Sequence, residues 1–201
     1  MCSRLYGGQL MKIMWLDTET TGTKPWIHDI IQMAGIVEID GREVEQFEFK
    51  CQPHDLGTVE EDAIKTHGIS IEEMADYPKP SKVWNQFCRL LDSHIDKYNK
   101  EDKFIMAGYN VGFDFDMLQN WWRKCEQSYF GSYFQYKQFD LYPLVFLFDH
   151  KYKWGMSRHT LVDICDLLNI GIDAHDALAD IRATKDVYER LCDMLPKEIQ
   201  L

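Results

Sequence analysis

The run "LMKIMWLDTETTG", residues 10 to 22, most constrains what this chain can fold into. Residues 10 to 17 read as a short, largely apolar strand that ends in an acidic pair, Asp17 and Glu19. Side chains two apart on a strand project to one face. Two unpaired carboxylates held there would repel each other and titrate abnormally. A hard divalent cation relieves that conflict, because Mg²⁺ and Mn²⁺ prefer oxygen ligands. Taken alone, the pair leaves two readings open: a metal site, or a polar strand end before a turn at Gly22.

Composition narrows the classes. At 201 residues the chain fits one domain, with 1–10 as an extension before a core of 11–195. The longest apolar runs, such as "YPLVFLF" at 142–148, are too short to span a bilayer, so no membrane partner is expected. No secretory leader is evident, and the six scattered cysteines form no C-x-x-C pair. Reduced thiols in a cytoplasm are the expectation. The net charge of -11 repels polyanions at long range and weighs against a sequence-reading duplex binder. It leaves room for an enzyme that grips a strand end through bound cations; two divalent ions would change -11 to -7 (-11 + 4).

Further along, 29–39 and 43–51 read as strands joined by the turn "DGRE", giving a three-stranded antiparallel beginning. A short helix at 58–69 stops at Gly68, and an amphipathic helix covers 81–97 with Ser81 as N-cap. A fourth strand at 103–109 precedes a helix at 113–125, and another strand, "YKQFDL", precedes a helix at 141–149. Helices at 159–171 and 176–195 close the chain, the first ending near Gly171 and the second with Asp176 as N-cap. Strands early and helices late suggest one α/β layer structure.

Two more segments carry acids: "GYNVGFDFD" at 108–116 and "HDALAD" at 175–180. In order and separation, "DTETTG", "NVGFD" and "HDALADIRAT" resemble the three motifs of the DEDDh (DnaQ-like) 3′→5′ exonucleases, over residues 11 to 195. The resemblance implies a ribonuclease H-like α/β fold, a five-stranded mixed sheet flanked by helices. It implies that Asp17, Glu19, Asp114 and Asp180 hold two divalent metal ions, Mg²⁺ or Mn²⁺, with His175 as the catalytic histidine. Asp116 competes with Asp114, but reads as an acid answering a helix N-terminus. On one helix His175 and Asp180 would lie about 140° apart. They converge only if His175 sits in the loop before the helix. Two ions about 3.5–4 Å apart would clamp the scissile phosphate, while His175, with an ordinary pKa near ~6.5, takes the proton of water.

The resemblance also implies a nucleotide pocket. Thr20, Gly22 and Thr23 would meet the terminal sugar, although Thr23 stands where relatives carry a larger wedge. Asn110 belongs to the second motif. Phe113 would pack on the terminal nucleotide or else be a core residue; His67 would line the pocket or else be a satisfied turn histidine. "HKYKWGMSRH" at 150–159 is either a single-strand contact, with Tyr152 and Trp154 stacking bases and Lys151, Lys153 and Arg158 meeting phosphates, or a solvated loop around an anchored Trp. The implied activity is release of 5′-mononucleotides from single-stranded 3′ ends, DNA favoured over RNA, beside a polymerase or homodimer partner. The alternatives are an RNA 3′ trimmer resembling ribonuclease T or oligoribonuclease, or a non-catalytic binding module of the same fold.

Overall fold

In the computed structural model, which describes residues 10–172, 174 and 176–196, the apolar run forms β1 (Lys12–Thr20). The strand runs past Asp17 because Asp17, Thr18 and Glu19 keep pairing with Ala34, Met33 and Gln32 of β2 (Ile30–Ile39). Both carboxylates therefore lie within the strand. β2 turns into β3 (Arg42–Lys50) through Asp40 and Gly41, both at positive φ (54° and 74°), the backbone that a tight hairpin needs. β4 (Ile105–Gly108) and β5 (Phe139–Asp140) complete the sheet in the order β3-β2-β1-β4-β5. The first three strands pair antiparallel, whereas β1, β4 and β5 are parallel. This is the expected five-stranded mixed sheet of the ribonuclease H-like fold.

Helices cover both faces. α1 (Glu61–His67), α2 (Ile71–Asp76) and α3 (Pro80–His94) follow β3, and α4 (Gly112–Lys124) follows β4. α5 (Tyr142–Tyr152), α6 (Leu161–Leu168) and α7 (Ala177–Asp193) follow β5. Alternation along β1 sorts its side chains. Met14 and Leu16 are buried with Phe87 of α3 and Leu118 of α4, while Ile13 and Trp15 are buried with Val145 of α5 and Ile181 of α7. By the same alternation Asp17 and Glu19 extend toward the α7 side and Thr18 toward α4.

Several helix ends differ from the sequence expectation: α3 stops at His94 rather than 97, α5 runs on to Tyr152, and two caps are displaced. Ser81 is not the cap of α3, which starts at Pro80 after Lys79; the ring's fixed φ suits the first helical position. α6 is capped at Asn169 (φ 55°), two residues before Gly171; after glycine, asparagine is among the residues that best tolerate the left-handed conformation. α1 does stop at Gly68, at φ 74°.

Two ion pairs fix the elements around β1, one beside its start and one at the 27–29 segment that leads into β2. Lys185 on α7 pairs with Glu38 at 3.1 Å and Glu189 at 2.7 Å, and Glu38 also accepts a bond from the Trp15 indole at 3.2 Å. Lys124, at the end of α4, donates to the Asp29 carboxylate (2.8 Å) and to the carbonyls of Ile27 and His28. Asp29 is 1% exposed and also accepts from the His54 backbone at 3.0 Å. These partners, with the His54 ring, hold its carboxyl below the ordinary range against the cost of burial. Asp29→Ala removes the acceptor of the Lys124 ammonium and of the His54 N–H, so chemical denaturation should show a loss of about 1–3 kcal/mol.

Candidate active site

Three carboxylates from two elements meet at the end of β1. One oxygen from each of Asp17, Glu19 and Asp180 lies within 4.8 Å of the others. Asp17 and Glu19 get there by the two-residue repeat of the strand. Asp180 gets there because α7 begins at Ala177 under the Asp176 cap, whose carboxylate accepts from the Ala179 N–H at 2.9 Å. That places Asp180 in the first turn, where the helix dipole favours an anion. Asp176 is thereby engaged as a cap.

Asp114 arrives from the opposite face. It sits in the first turn of α4, 4% exposed, and accepts a 2.7 Å hydrogen bond from the Thr18 hydroxyl. Thr18 lies between the two β1 acids in sequence and faces α4, so one strand segment supplies two carboxylates to the cluster and an anchor for a third. Asp114 is outside the tight group of three, yet its charge is the largest electrostatic influence on Asp17. Asp116 is exposed, which separates it from Asp114.

The electrostatics are those of negative charge confined without compensation. Burial, then the charges of Asp114, Asp180 and Glu19, push Asp17 well above the usual carboxylate range. Burial, with Asp180 and Asp114, pushes Glu19 up to about 8. Burial raises Asp114 to about 7, opposed in part by the Thr18 hydrogen bond. The donors are all carboxylate oxygens, the set that hard divalent cations select. Asp17, Glu19, Asp180 and Asp114 thus fit a divalent metal by chemistry and by their shared need for positive charge.

A cavity of about 260 Å³ adjoins the cluster, lined by Glu19, Thr20, Gly22, Thr23, His67 and Phe113 among others. Five residues expected to meet substrate therefore share one wall system. Thr20 donates its hydroxyl to the Gly22 carbonyl at 2.9 Å. A Cβ at Gly22 would lie 2.5 Å from the buried His28 ring, so this close approach requires glycine. Phe113 packs against the core and also lines the cavity. His67 Nδ1 accepts from the Ile69 N–H at 3.0 Å while the residue lines the same cavity. Thr23 is exposed at its rim.

Other expected residues fall elsewhere. Asn110 is exposed, at φ 58°, and is not among the residues lining this cavity; its N–H donates to Asp140 at 2.8 Å. His175 lies outside the described residues. Tyr152 and Trp154 stack on each other (5.9 Å, 18°), Trp154 packs on Phe148, and the Tyr152 hydroxyl donates to the Met194 carbonyl. These two rings are anchored in the protein, which favours the structural reading of that loop. Thr18 and Asp140 were missed from sequence. The signal for Thr18 was present, since the residue between two same-face acids must face the opposite helix.

With the geometry in place, comparison with known proteins assigns the class. The RNase_T family model, described as "Exonuclease", matches residues 14–188, and the chain belongs to this exonuclease family, of the DEDD type within the ribonuclease H-like superfamily. Exonucleases of this family use divalent metal ions. A DNA polymerase III PolC-type protein from Thermotoga petrophila is 24% identical over 183 residues, covering 90% of this chain and 12% of its own length. Exonuclease I from Methylocaldum szegediense is 22% identical with a TM-score of 0.74, over 93% of this chain and 41% of that one. E. coli exonuclease I in complex with a 5cy-dT13 oligonucleotide is 20% identical with a TM-score of 0.75, over 94% and 42%. The chain thus spans under half of the solved exonucleases and an eighth or less of the polymerase, and the likeness to the solved structures establishes the fold.

The raised carboxylates set a pH dependence. Without metal the folded state holds protons that the unfolded chain releases near the ordinary 4.5 of a glutamate, so stability is full below that value and is lost as pH rises through about 8. In EDTA the melting temperature should fall between about pH 5 and about pH 9, and Mg²⁺ should flatten the fall. Glu19→Gln should raise the melting temperature at the alkaline end in EDTA. Thr18→Val, which frees Asp114, should weaken Mn²⁺ binding by roughly 10- to 100-fold in calorimetry.

Proposed function

We propose that this chain is a metal-dependent 3′→5′ exonuclease that releases 5′-mononucleotides from single-stranded ends, with DNA preferred to RNA. The observation that carries the reading is the adjacency of the carboxylate cluster and the 260 Å³ cavity, which share Glu19. That volume is below the ~300–1,000 Å³ of drug-sized pockets, and it suits one terminal nucleotide. Thr20 and the Gly22 backbone meet its sugar, Phe113 offers a ring to its base, and Thr23 is too short to wedge between bases. Asp17, Glu19, Asp114 and Asp180 would hold two divalent ions. Bound there, such ions supply activation of water and neutralisation of charge on the leaving oxygen. His175 takes the proton from water as its oxygen attacks phosphorus, and the bond to the upstream 3′ oxygen breaks.

Support for DNA comes from the relatives: one is a DNA polymerase, and one solved exonuclease I holds a dT13 oligonucleotide. The test uses 5′-labelled single-stranded DNA and RNA of equal sequence, side by side, with Mg²⁺, with Mn²⁺ and with EDTA. Stepwise shortening of DNA with either metal, faster than of RNA, is expected, and EDTA should abolish it. Asp17→Ala should lower the rate by more than the ~10–100-fold that loss of an outer partner of a metal site costs. Activity that survives both EDTA and Asp17→Ala would sink the mechanism; faster shortening of RNA would make the chain an RNA trimmer.

A further inference from the structure

The parallel strands β1, β4 and β5 run the same way, so the residues after them emerge along one sheet edge, where open α/β sheets bind ligands. At β1 that edge carries the carboxylates, at β4 Tyr109 and Asn110, and at β5 Leu141 and Tyr142. Asp140 locks the last two segments together, its Oδ1 accepting from the Asn110 N–H (2.8 Å) and the Tyr142 N–H (3.0 Å). The nucleotide cavity adjoins the carboxylates between the β1 end and α1, with Phe113 of α4 also in its wall.

Two large aromatic side chains stand exposed at the β5 end. Tyr142 is 43% exposed and Phe146, one helical turn on along the same face of α5, is 56% exposed. They are held firmly from behind. The His159 ring lies 6.4 Å from Tyr142 and 5.2 Å from Phe146, and it is fixed by Asp149 at 2.8 Å. Tyr109 packs edge-on against Tyr142 (6.1 Å) and donates its hydroxyl to the His159 carbonyl at 2.5 Å. Next to His159 in sequence, Arg158 is exposed and contacts Asp163 at 3.3 Å.

We propose that Tyr142 and Phe146 form a stacking station for bases upstream of the scissile bond of a single-stranded nucleic acid, with Arg158 meeting a phosphate. This rests on the exonuclease reading above. A strand whose last nucleotide fills the cavity passes the carboxylates with its scissile phosphate, and β4 and β5 are the next strands along that edge. From β1 to β5 is two strand spacings, about 10 Å. The chain's charge of -11 opposes long-range capture of a polyanion, so grip must come from short-range contacts. Base stacking on aromatic rings provides such a contact and tolerates any sequence.

The test is binding of fluorescent oligothymidylates of two, four and eight nucleotides, read by anisotropy in Ca²⁺. Affinity for the wild-type chain should rise about tenfold from the shortest to the longest. In Tyr142→Ser/Phe146→Ser that gain should shrink below about twofold, and Tyr142→Phe should retain it. A second measurement needs only the wild-type chain: 2-aminopurine placed upstream of the terminal nucleotide should be quenched on binding. A double variant, folded by circular dichroism, that keeps the full length gain would overturn the proposal. So would fluorescence unquenched at every upstream position. Length-dependent binding without mononucleotide release in Mg²⁺ would instead remove the exonuclease reading and leave the station standing.

Discussion

Mutual repulsion among Asp17, Glu19, Asp114 and Asp180 is the interaction the rest of the structure is arranged to withstand. Each acid is delivered by an element with its own hold on the core. β1 is paired on both sides, by β2 and β4. α7 is tied to β1 and β2 by Lys185, Glu38 and the Trp15 indole, and α4 is tied to the 27–29 segment by Lys124 and Asp29. None of these contacts touches the cluster, yet each opposes the separation that like charges favour. A buried charge is tolerated only where partners compensate it. Here compensation is complete at Asp29 and Lys185 and deliberately partial at Asp17 and Glu19. Their unspent cost is relieved by a proton or by a cation.

Helix starts contribute to the same end. α4 and α7 both begin at the cluster, each with an aspartate in its first turn. Their N-terminal dipoles offset a fraction of the negative charge, each worth about 0.3–1 kcal/mol at exposed sites. Burial and the charges of Asp180 and Asp114 nevertheless hold Glu19 near 8. Helix dipoles bias the site toward anions without neutralising it, and the balance is left for metal.

Much of this was legible from residues. The spacing of Asp17 and Glu19 already implied a common face, and "HDALAD" placed a capped helix start beside Asp180. What escaped was whatever depends on partners distant in sequence. Ser81 looked like a cap until Pro80 took the first helical position. Asn169 ended a helix that Gly171 seemed better suited to end. Asp140 appeared as one residue of a weakly patterned segment, but it joins the ends of β4 and β5. Tyr152 and Trp154, beside basic residues, left open a single-strand contact or a solvated loop around an anchored Trp. The fold stacks them on each other and packs both on Phe148, with the Tyr152 hydroxyl tied to the Met194 carbonyl, while Tyr142 and Phe146 stand exposed on the first turns of α5. Local composition could not separate these pairs, since both are aromatic and both lie on or beside α5.

The acidic balance of the chain is consistent with this division of labour. A surface at -11 gains nothing from hovering near a polyanion. Under the proposed function, affinity would arise where the phosphate chain is already in contact, through cations at the carboxylates and through rings that accept a base regardless of charge. Both devices engage a strand whose bases are splayed and whose end is free. A paired duplex presents stacked bases and phosphates to the same acidic surface, so it meets the repulsion without the stacking. On the proposed reading, selection of single-stranded ends over duplex would follow from the acidic charge together with the placement of a few aromatic rings, without any group that reads base identity.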